Sequence, residues 1–427
     1  MITRIEAYGY RCFPQLGIDL DRYQVLAGAN GAGKSTLLDI PPLIGDLLGK
    51  RNAVSAFLGR RSPNMPPRAG SLLELLYKRE GSSIAFAVEA QLPDAIIEAF
   101  ADRSFSILVQ HSPTHLRYEL MLDIDSNELR VSTEHLFLFS EHGALPSKGG
   151  FPQGEKAGPE PGDWQSVIRR THSDPTKFVP ETTTQSTDIP ALRIPSGQLA
   201  LGAVPADPTL FPAALWFSEL LREGVVFFEP DWDQLRQPAP PGERRQLLRS
   251  GRNAPWLALD LSQQDPDRFS LWIDHVRTAL PQVAGIEVIE REEDHHAYFS
   301  VEYEGGYRVT SSGLSDGTLR ILAMTLLPYL DDGVLPRLLV TEEPENGVHP
   351  RAIETIVDSL NSLYESQVWV STHSPIVLAH TDLSDVLTAR LNRDGSVSVI
   401  PGKEHPRLRD WKGSLDIGTL FAAGVLS

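Results

Sequence analysis

Gly28-Ala29-Asn30-Gly31-Ala32-Gly33-Lys34-Ser35, with Thr36 next in line, satisfies the pattern G-x-x-x-x-G-K-[ST] and decides how the rest of the chain is read. Before it, Tyr23-Gln24-Val25-Leu26-Ala27 is a short apolar run of the kind that forms a buried strand. After it, Lys34 to Leu48 has the pattern of a helix that Pro41-Pro42 must kink or interrupt. A glycine loop between a strand and a helix wraps backbone N–H groups around a phosphate without Cβ clashes, and the helix N-terminus adds partial positive charge. Asn30, Gly31, Ala32 and Gly33 would line that cradle. Lys34 would reach the β- and γ-phosphates of a nucleotide, Ser35 would hold Mg²⁺, and Thr36 would meet the α-phosphate.

Such a loop needs a carboxylate at the end of a second strand. Leu338-Leu339-Val340-Thr341 is an apolar run ending in Glu342-Glu343-Pro344-Glu345. A buried strand seldom ends in three acids without a cation to meet them. Glu342 is assigned to the metal and Glu343 to the attacking water. Ser312-Gly313-Leu314-Ser315-Asp316-Gly317-Thr318 stands before a helical pattern; it is a second phosphate nest or, for Ser315, a plain helix cap. Ser371-Thr372-His373-Ser374-Pro375 follows another apolar strand, where an imidazole is either structural or a partner for a γ-phosphate.

Composition narrows the class. Of 427 residues 41% are hydrophobic, enough for more than one core. The single cysteine, Cys12, allows neither an internal disulfide nor a cysteine metal site, which fits a reducing cytoplasm. No apolar run reaches the ~18 residues of a membrane helix, and Met1 to Glu6 has no signal pattern. A net charge of −17 argues against a general polyanion binder. Two local arginine groups remain: Arg244, Arg245, Arg249 and Arg252, and Arg60-Arg61 between Arg51 and Arg68. Solvated faces with scattered ion pairs are the simpler reading. His295-His296 among Glu290, Glu292, Glu293 and Asp294 reads as a charged hairpin before it reads as a metal cluster.

Along the chain, Ile2–Tyr10, Ser83–Gln91, Leu116–Asp125 and Glu128–Phe139 alternate as strands. The tract 141–163 holds six glycines and four prolines and, with 171–190, reads as flexible. A helix is expected over Leu210–Leu221 and a strand over Val225–Phe228. The last third reads as helix Thr318–Leu330, strand Arg337–Thr341, helix Arg351–Glu365 and strand Gln367–Ser371, with a hairpin turning at Asn392-Arg393-Asp394-Gly395. No heptads are sustained.

The ordered set G-x-N-G-x-G-K-S, L-S-D-G-T-L-R, E-E-P-E-N-G-x-H-P and S-T-H-S-P resembles the ABC-like AAA-family ATPases, relatives of which include the RecF and SMC heads and the overcoming-lysogenization-defect nucleases. The resemblance covers 1–50 and 300–427, with a looser match at Asn253 and Leu257–Leu261. It implies an α/β fold: a P-loop ABC-type ATPase head with a large mixed α/β insertion between glycine loop and signature motif. The units would be 1–50, an insertion at 51–300 for sensing or partner binding, and 301–427. It implies a homodimer sandwiching two ATP molecules. Ser315 and Gly317 would contact the partner's γ-phosphate, Glu343 would be the catalytic base, His373 the switch histidine, and Arg11 a basic residue near the nucleotide. Glu342 stands where Asp is more general. The switch glutamine has one weak candidate, Gln91.

Without heptads an SMC-type arm is not expected. The 54 residues after His373 are too few for an appended Toprim nuclease domain. The expectation is a cytoplasmic Mg-ATP-hydrolysing switch, controlling an effector protein in trans in prokaryotic anti-phage defence or DNA transactions. A RecF-like repair ATPase binding DNA directly, and a regulator that holds ATP without turning it over, are the alternatives. Nucleic acid as a partner stays open.

Overall fold

The computed structural model describes residues 1–50, 52–60, 66–101, 112–125, 128–158, 164–172, 174–182, 189–243, 245–408 and 416–425. The chain forms two compact units. The first comprises Met1–Asp21, Thr36–Glu223 and Leu391–Val399, the second Arg22–Ser35, Gly224–Arg390 and Ile400–Ser427. Boundaries at 50/51 and 300/301 cut across both.

The first unit is built on a seven-stranded sheet in the order Phe13–Asp19, Ile2–Tyr10, Ser83–Gln91, His115–Asp125, Glu128–Phe139, Trp164–Arg170, Lys177–Phe178. Every neighbouring pair is antiparallel. Alternation gives the central strand His115–Asp125 two different faces. Leu116, Tyr118, Leu120 and Leu122 are buried on one, where the Tyr118 and Phe217 rings lie 5.9 Å apart and bring in the helix Pro212–Arg222. That helix crosses Ile40–Gly49 closely enough that a Cβ on Gly45 would sit 2.0 Å from the Leu221 carbonyl oxygen. Pro41 and Pro42 interrupt the helical run as expected: one helix stops at Leu38 and the next carries both prolines in its first turn.

The other face carries Arg117 and Glu119, which are also fully buried. The described part of 141–163 covers them and is no free linker. The amides of Gln153 and Gly154 donate to Glu119 Oε2 at 2.8 and 2.9 Å, and that of Gly149 to Glu6 Oε1 at 3.1 Å. Buried carboxylates require donors, and this glycine-rich stretch supplies bare backbone N–H groups. Residues 159–163 lie outside the described set. In 171–190, residues 173 and 183–188 do too, while Glu181 is buried and accepts from the amides of Ala213 and Ala214 at 2.7 and 2.8 Å.

The second unit holds, in order, the strands Val386–Leu391 (all but its last residue), Tyr23–Ala27, Gln367–Thr372, Leu338–Glu342 and Val225–Phe227. From Val386–Leu391 to Val225–Phe227 the neighbours are all parallel. Tyr23–Ala27 and Gln367–Thr372 are buried at every position, as central parallel strands must be. Asp316–Leu326, Pro350–Asn361, Ala254–Gln264 and Pro266–Ala279 supply the helical side of the core, with Trp272 donating to Thr325 Oγ1 at 3.1 Å. A three-stranded antiparallel sheet, Val283–Glu290, Ala297–Tyr303 and Arg308–Thr310, leads directly into the signature loop.

Candidate functional site

Parallel strands place all their carboxyl ends at one edge, where open α/β sheets bind ligands. Pairing of Thr372 with Ala27, and of Ser371 with Glu342, aligns three such ends. The glycine loop, the acids and His373 therefore issue from adjoining strands.

Gly31 and Gly33 take φ of 79° and 76°, values that L side chains rarely adopt. A Cβ at Gly28 would lie 2.4 Å from the Ala389 carbonyl oxygen, so this position admits glycine alone. Lys34 is buried, and its Nζ donates to the carbonyl oxygens of Gly28 at 2.7 Å and Ala29 at 3.1 Å. Burial pulls its pKa below the ordinary value, while Glu343, Glu342 and Glu345 pull it back up. The Ser35 hydroxyl is bonded to the Glu342 carboxyl. Burial raises the pKa of Glu342 despite that bond, and the nearby charges of Glu229 and Glu343 add to the rise. A hydroxyl and a carboxylate are the hard oxygen donors that magnesium takes alongside phosphate oxygens and water. Among the described residues no group of three or more His, Cys, Asp and Glu is arranged as an all-protein cage.

Glu343 is half-buried and held at three points. Its amide donates to the Ser371 carbonyl at 2.8 Å, Oε1 meets His373 Nδ1 at 2.8 Å, and Oε2 accepts from Asn346 Nδ2 at 2.5 Å. Its φ of 46° is left-handed, a conformation that costs a non-glycine residue about 1–3 kcal/mol and is concentrated at functional sites. Glu345 is buried; Oε1 accepts from Thr372 Oγ1 at 2.5 Å, and Oε2 has no hydrogen-bond partner among the described residues.

In the signature segment, Ser315 caps the helix Asp316–Leu326, its Oγ accepting from the Thr318 amide at 3.1 Å. A Cβ on Gly317 would stand 2.8 Å from the Gly347 carbonyl oxygen, so signature and acid loop approach as backbones. Arg236 ties Asp316 at 2.7 Å and the Leu314 carbonyl at 3.0 Å. Arg320, in the same L-S-D-G-T-L-R stretch, donates to the Glu343 carbonyl at 3.0 Å. Arg320, Glu345 and Asn346 escaped the sequence reading as site residues. The signal for each was its presence inside a motif already quoted.

Asn30 to Ser35, Ser315, Gly317, Glu342, Glu343 and His373 all belong to the second unit. Thr36 and Arg11 are assigned to the first unit, where the Cys12 thiol bonds the Thr36 side chain. Arg11, at φ 51°, is held by its amide to the Leu75 carbonyl at 2.8 Å and by its guanidinium to the Arg68 carbonyl. Gln91 ends a strand of the first unit's sheet opposite His115. His295 pairs with Glu290 at 2.8 Å on an exposed hairpin, the plain reading of that cluster. The arginine group resolves into ion pairs, Arg245 with Asp260, Arg252 with Glu243 and Arg249 with Glu229 at 2.8 Å. Arg244, Arg51 and Arg61 lie outside the described residues. No helix among the described residues is long and apolar enough to cross a membrane.

The family model described as "AAA domain, putative AbiEii toxin, Type IV TA system" matches residues 147–379, more than half of the chain. That span takes in the signature, the acid strand end and His373, and begins after the glycine loop. No curated protein matches the sequence. Among solved structures, an Smc head bound to the C-terminal winged-helix domain of ScpA is similar at 15% identity, covering 93% of this chain and 96% of that one, with a TM-score of 0.49. An Smc head with an extended coiled coil, bound to the C-terminal domain of ScpA derived from Pyrococcus furiosus, matches at 13% identity over 93% and 95% with a TM-score of 0.48. The SMC head domain from Thermotoga maritima matches at 13% identity over 94% and 98%, with a TM-score of 0.42.

Proposed function

Because this chain belongs to that AAA-domain family, an ATPase family, we propose that it is a Mg-ATP-hydrolysing switch that closes as a homodimer and controls an effector protein in trans. The setting is prokaryotic anti-phage defence or DNA transactions, and the effector is nuclease-like. The observation that carries this reading is the pairing of Ser35 with Glu342 beside the pairing of His373 with Glu343. It is the arrangement needed to hold a cation on one side and a water on the other.

The glycine loop amides and Lys34 hold the phosphates of the substrate, ATP. Ser35 and Glu342 would hold Mg²⁺, which would neutralise phosphate charge. Glu343 orients the water, His373 meets the γ-phosphate, and Ser315 with Gly317 completes the partner's site. Direct DNA binding is less well supported, because Arg245, Arg249 and Arg252 each have an acid partner.

Glu343→Gln is the test. It keeps shape and one hydrogen bond but loses the charge that polarises water, and a positioned general base is worth about 10²–10⁴-fold. Single-turnover hydrolysis should fall by that order while ATP-bound dimers accumulate. Near-parental hydrolysis on folded protein would sink the mechanism.

A further inference from the structure

Arg320 is half-buried on the signature helix and has no carboxylate in ion-pair contact among the described residues. Its Nη1 donates to the Glu343 carbonyl at 3.0 Å and reaches the Pro344 carbonyl at 3.4 Å. Its guanidinium carbon lies 4.4 Å from the centre of the Trp232 ring. Among the described residues its Nε is buried without a hydrogen-bond partner, and Glu345 and Asp316 act on the guanidinium through their charge. Desolvating a guanidinium without a paired acid is an unfavourable way to fill space, and an apolar side chain would pack there at less cost. What the charge does achieve is specific. It grips the carbonyl of Glu343, the one non-glycine residue of this loop whose φ is left-handed.

We propose that Arg320 is a positioning residue for hydrolysis, linking the signature helix to the peptide that aims Glu343 in the same chain. At one end of the link, Ser315 caps the helix and Arg236, which follows the helix Trp232–Leu235, holds Asp316 and the Leu314 carbonyl. At the other, Arg320 holds the two carbonyls that fix the direction of Glu343. Trp232 braces the guanidinium by its ring face, an interaction that orients a planar cation. A shift of the helix when Ser315 meets the partner's nucleotide carries both carbonyls with it. Glu343 is therefore aimed for attack only in the closed dimer. This inference rests on the reading of Glu343 as the water-orienting acid, and adds how its aim depends on closure.

The test compares Arg320→Met, Arg320→Lys and Trp232→Leu with the parent. Four quantities are read: kcat, affinity for a fluorescent ATP analogue, ATP-dependent association by sedimentation, and melting temperature. Arg320→Met should lower kcat about 10- to 100-fold, the scale on which small misplacements act. Nucleotide affinity and association should stay at parental values. Arg320→Lys should recover part of the loss, because an ammonium can still donate to one carbonyl. Trp232→Leu, which keeps the charge and loosens its brace, should show a smaller fall of the same kind and carries the test if Arg320→Met does not fold. Parental kcat in both, equal losses in kcat and ATP affinity, or a lysine variant no better than methionine overturns the proposal. Glu343→Gln run in parallel separates the two ideas. If it too hydrolyses normally, the reading of the site fails; if it is inactive while Arg320→Met is normal, only the role of Arg320 fails.

Discussion

Both units bury charge, and they bury it differently. In the first, Arg117 is wholly enclosed and answered by three carboxylates, Glu6 at 2.7 Å, Glu89 at 2.7 Å and Glu119 at 2.8 Å. The remaining oxygens of Glu6 and Glu119 are met by backbone amides and Arg4. In the second, the glycine loop lysine turns onto its own loop's carbonyls, Glu345 keeps an unpartnered buried oxygen, and Glu342 stands near two further acids. A saturated polar network rigidifies a fold, whereas one with unused donors and acceptors is poised to meet something else. The contrast holds between two charge clusters, the one around Arg117 and the one at the strand ends by the glycine loop.

The largest effects should break along this line. Glu343→Gln, with its fall of about 10²–10⁴-fold in turnover, should leave stability unchanged, since it removes one of several crowded negative charges. Arg117→Met should do the reverse. Stranding Glu6, Glu89 and Glu119 without their cation should destabilise the first unit by about 3–5 kcal/mol, measured by denaturant unfolding. Turnover per folded molecule should remain parental. If Arg117→Met abolished hydrolysis without lowering stability, the division between scaffold and site would be wrong.

Much of the site was legible in the sequence because its parts are local. A glycine loop declares its φ requirements residue by residue, and an apolar strand ending in Glu342-Glu343 announces its own conflict. The sheet strands Ser83–Gln91 and Glu128–Phe139 were legible by alternation. Arg117 was not: alternation in His115-Leu116-Arg117-Tyr118-Glu119 places the charged positions on one face and says nothing of what covers it. Only the distant segment around Gly149 to Gly154 encloses them. The strands Trp164–Arg170 and Lys177–Phe178 and the helices Ala254–Gln264 and Pro266–Ala279 also went unassigned, because long-range packing decides them. Arg320 belongs with these, since nothing at position 320 alone states that its partner is the carbonyl of Glu343.

A smaller effect tests the scaffold through pH. His135 in the first unit is fully buried with neither ring nitrogen partnered. Burial lowers its pKa from 6.5 to about 4, with Glu155 opposing and Arg169 assisting. The unfolded chain takes up the proton near its ordinary value, so between these limits it binds more protons than the folded state. Stability from His135 is complete above pH 6.5 and is lost as pH falls toward 4, by about 3 kcal/mol in all. His135→Leu should remove that share of the acid sensitivity, read as a flatter stability profile over the same window. An unchanged profile would mean that the imidazole is not held neutral.

The smallest expected effect bears on the residue that belongs to both sides of the comparison. Ser315 is a helix cap in the structure, its Oγ accepting from the Thr318 amide at 3.1 Å and lying 2.9 Å from the Thr318 hydroxyl. As a cap alone, its replacement by alanine costs about 1 kcal/mol of stability and nothing else. In the proposed function it would also complete the nucleotide site of a second copy. Ser315→Asp divides these roles, because aspartate caps a helix as well as serine while bringing a negative charge toward a phosphate. The expected result is parental melting with ATP-dependent association lost, alongside intact ATP binding by the variant's own glycine loop. Ser315→Ala should show the converse, a modest fall in melting temperature and association largely kept, since a small neutral side chain still lets the phosphate approach the helix amides. Equal association in Ser315→Asp and the parent would leave Ser315 as scaffold and remove the sandwich from the proposed function.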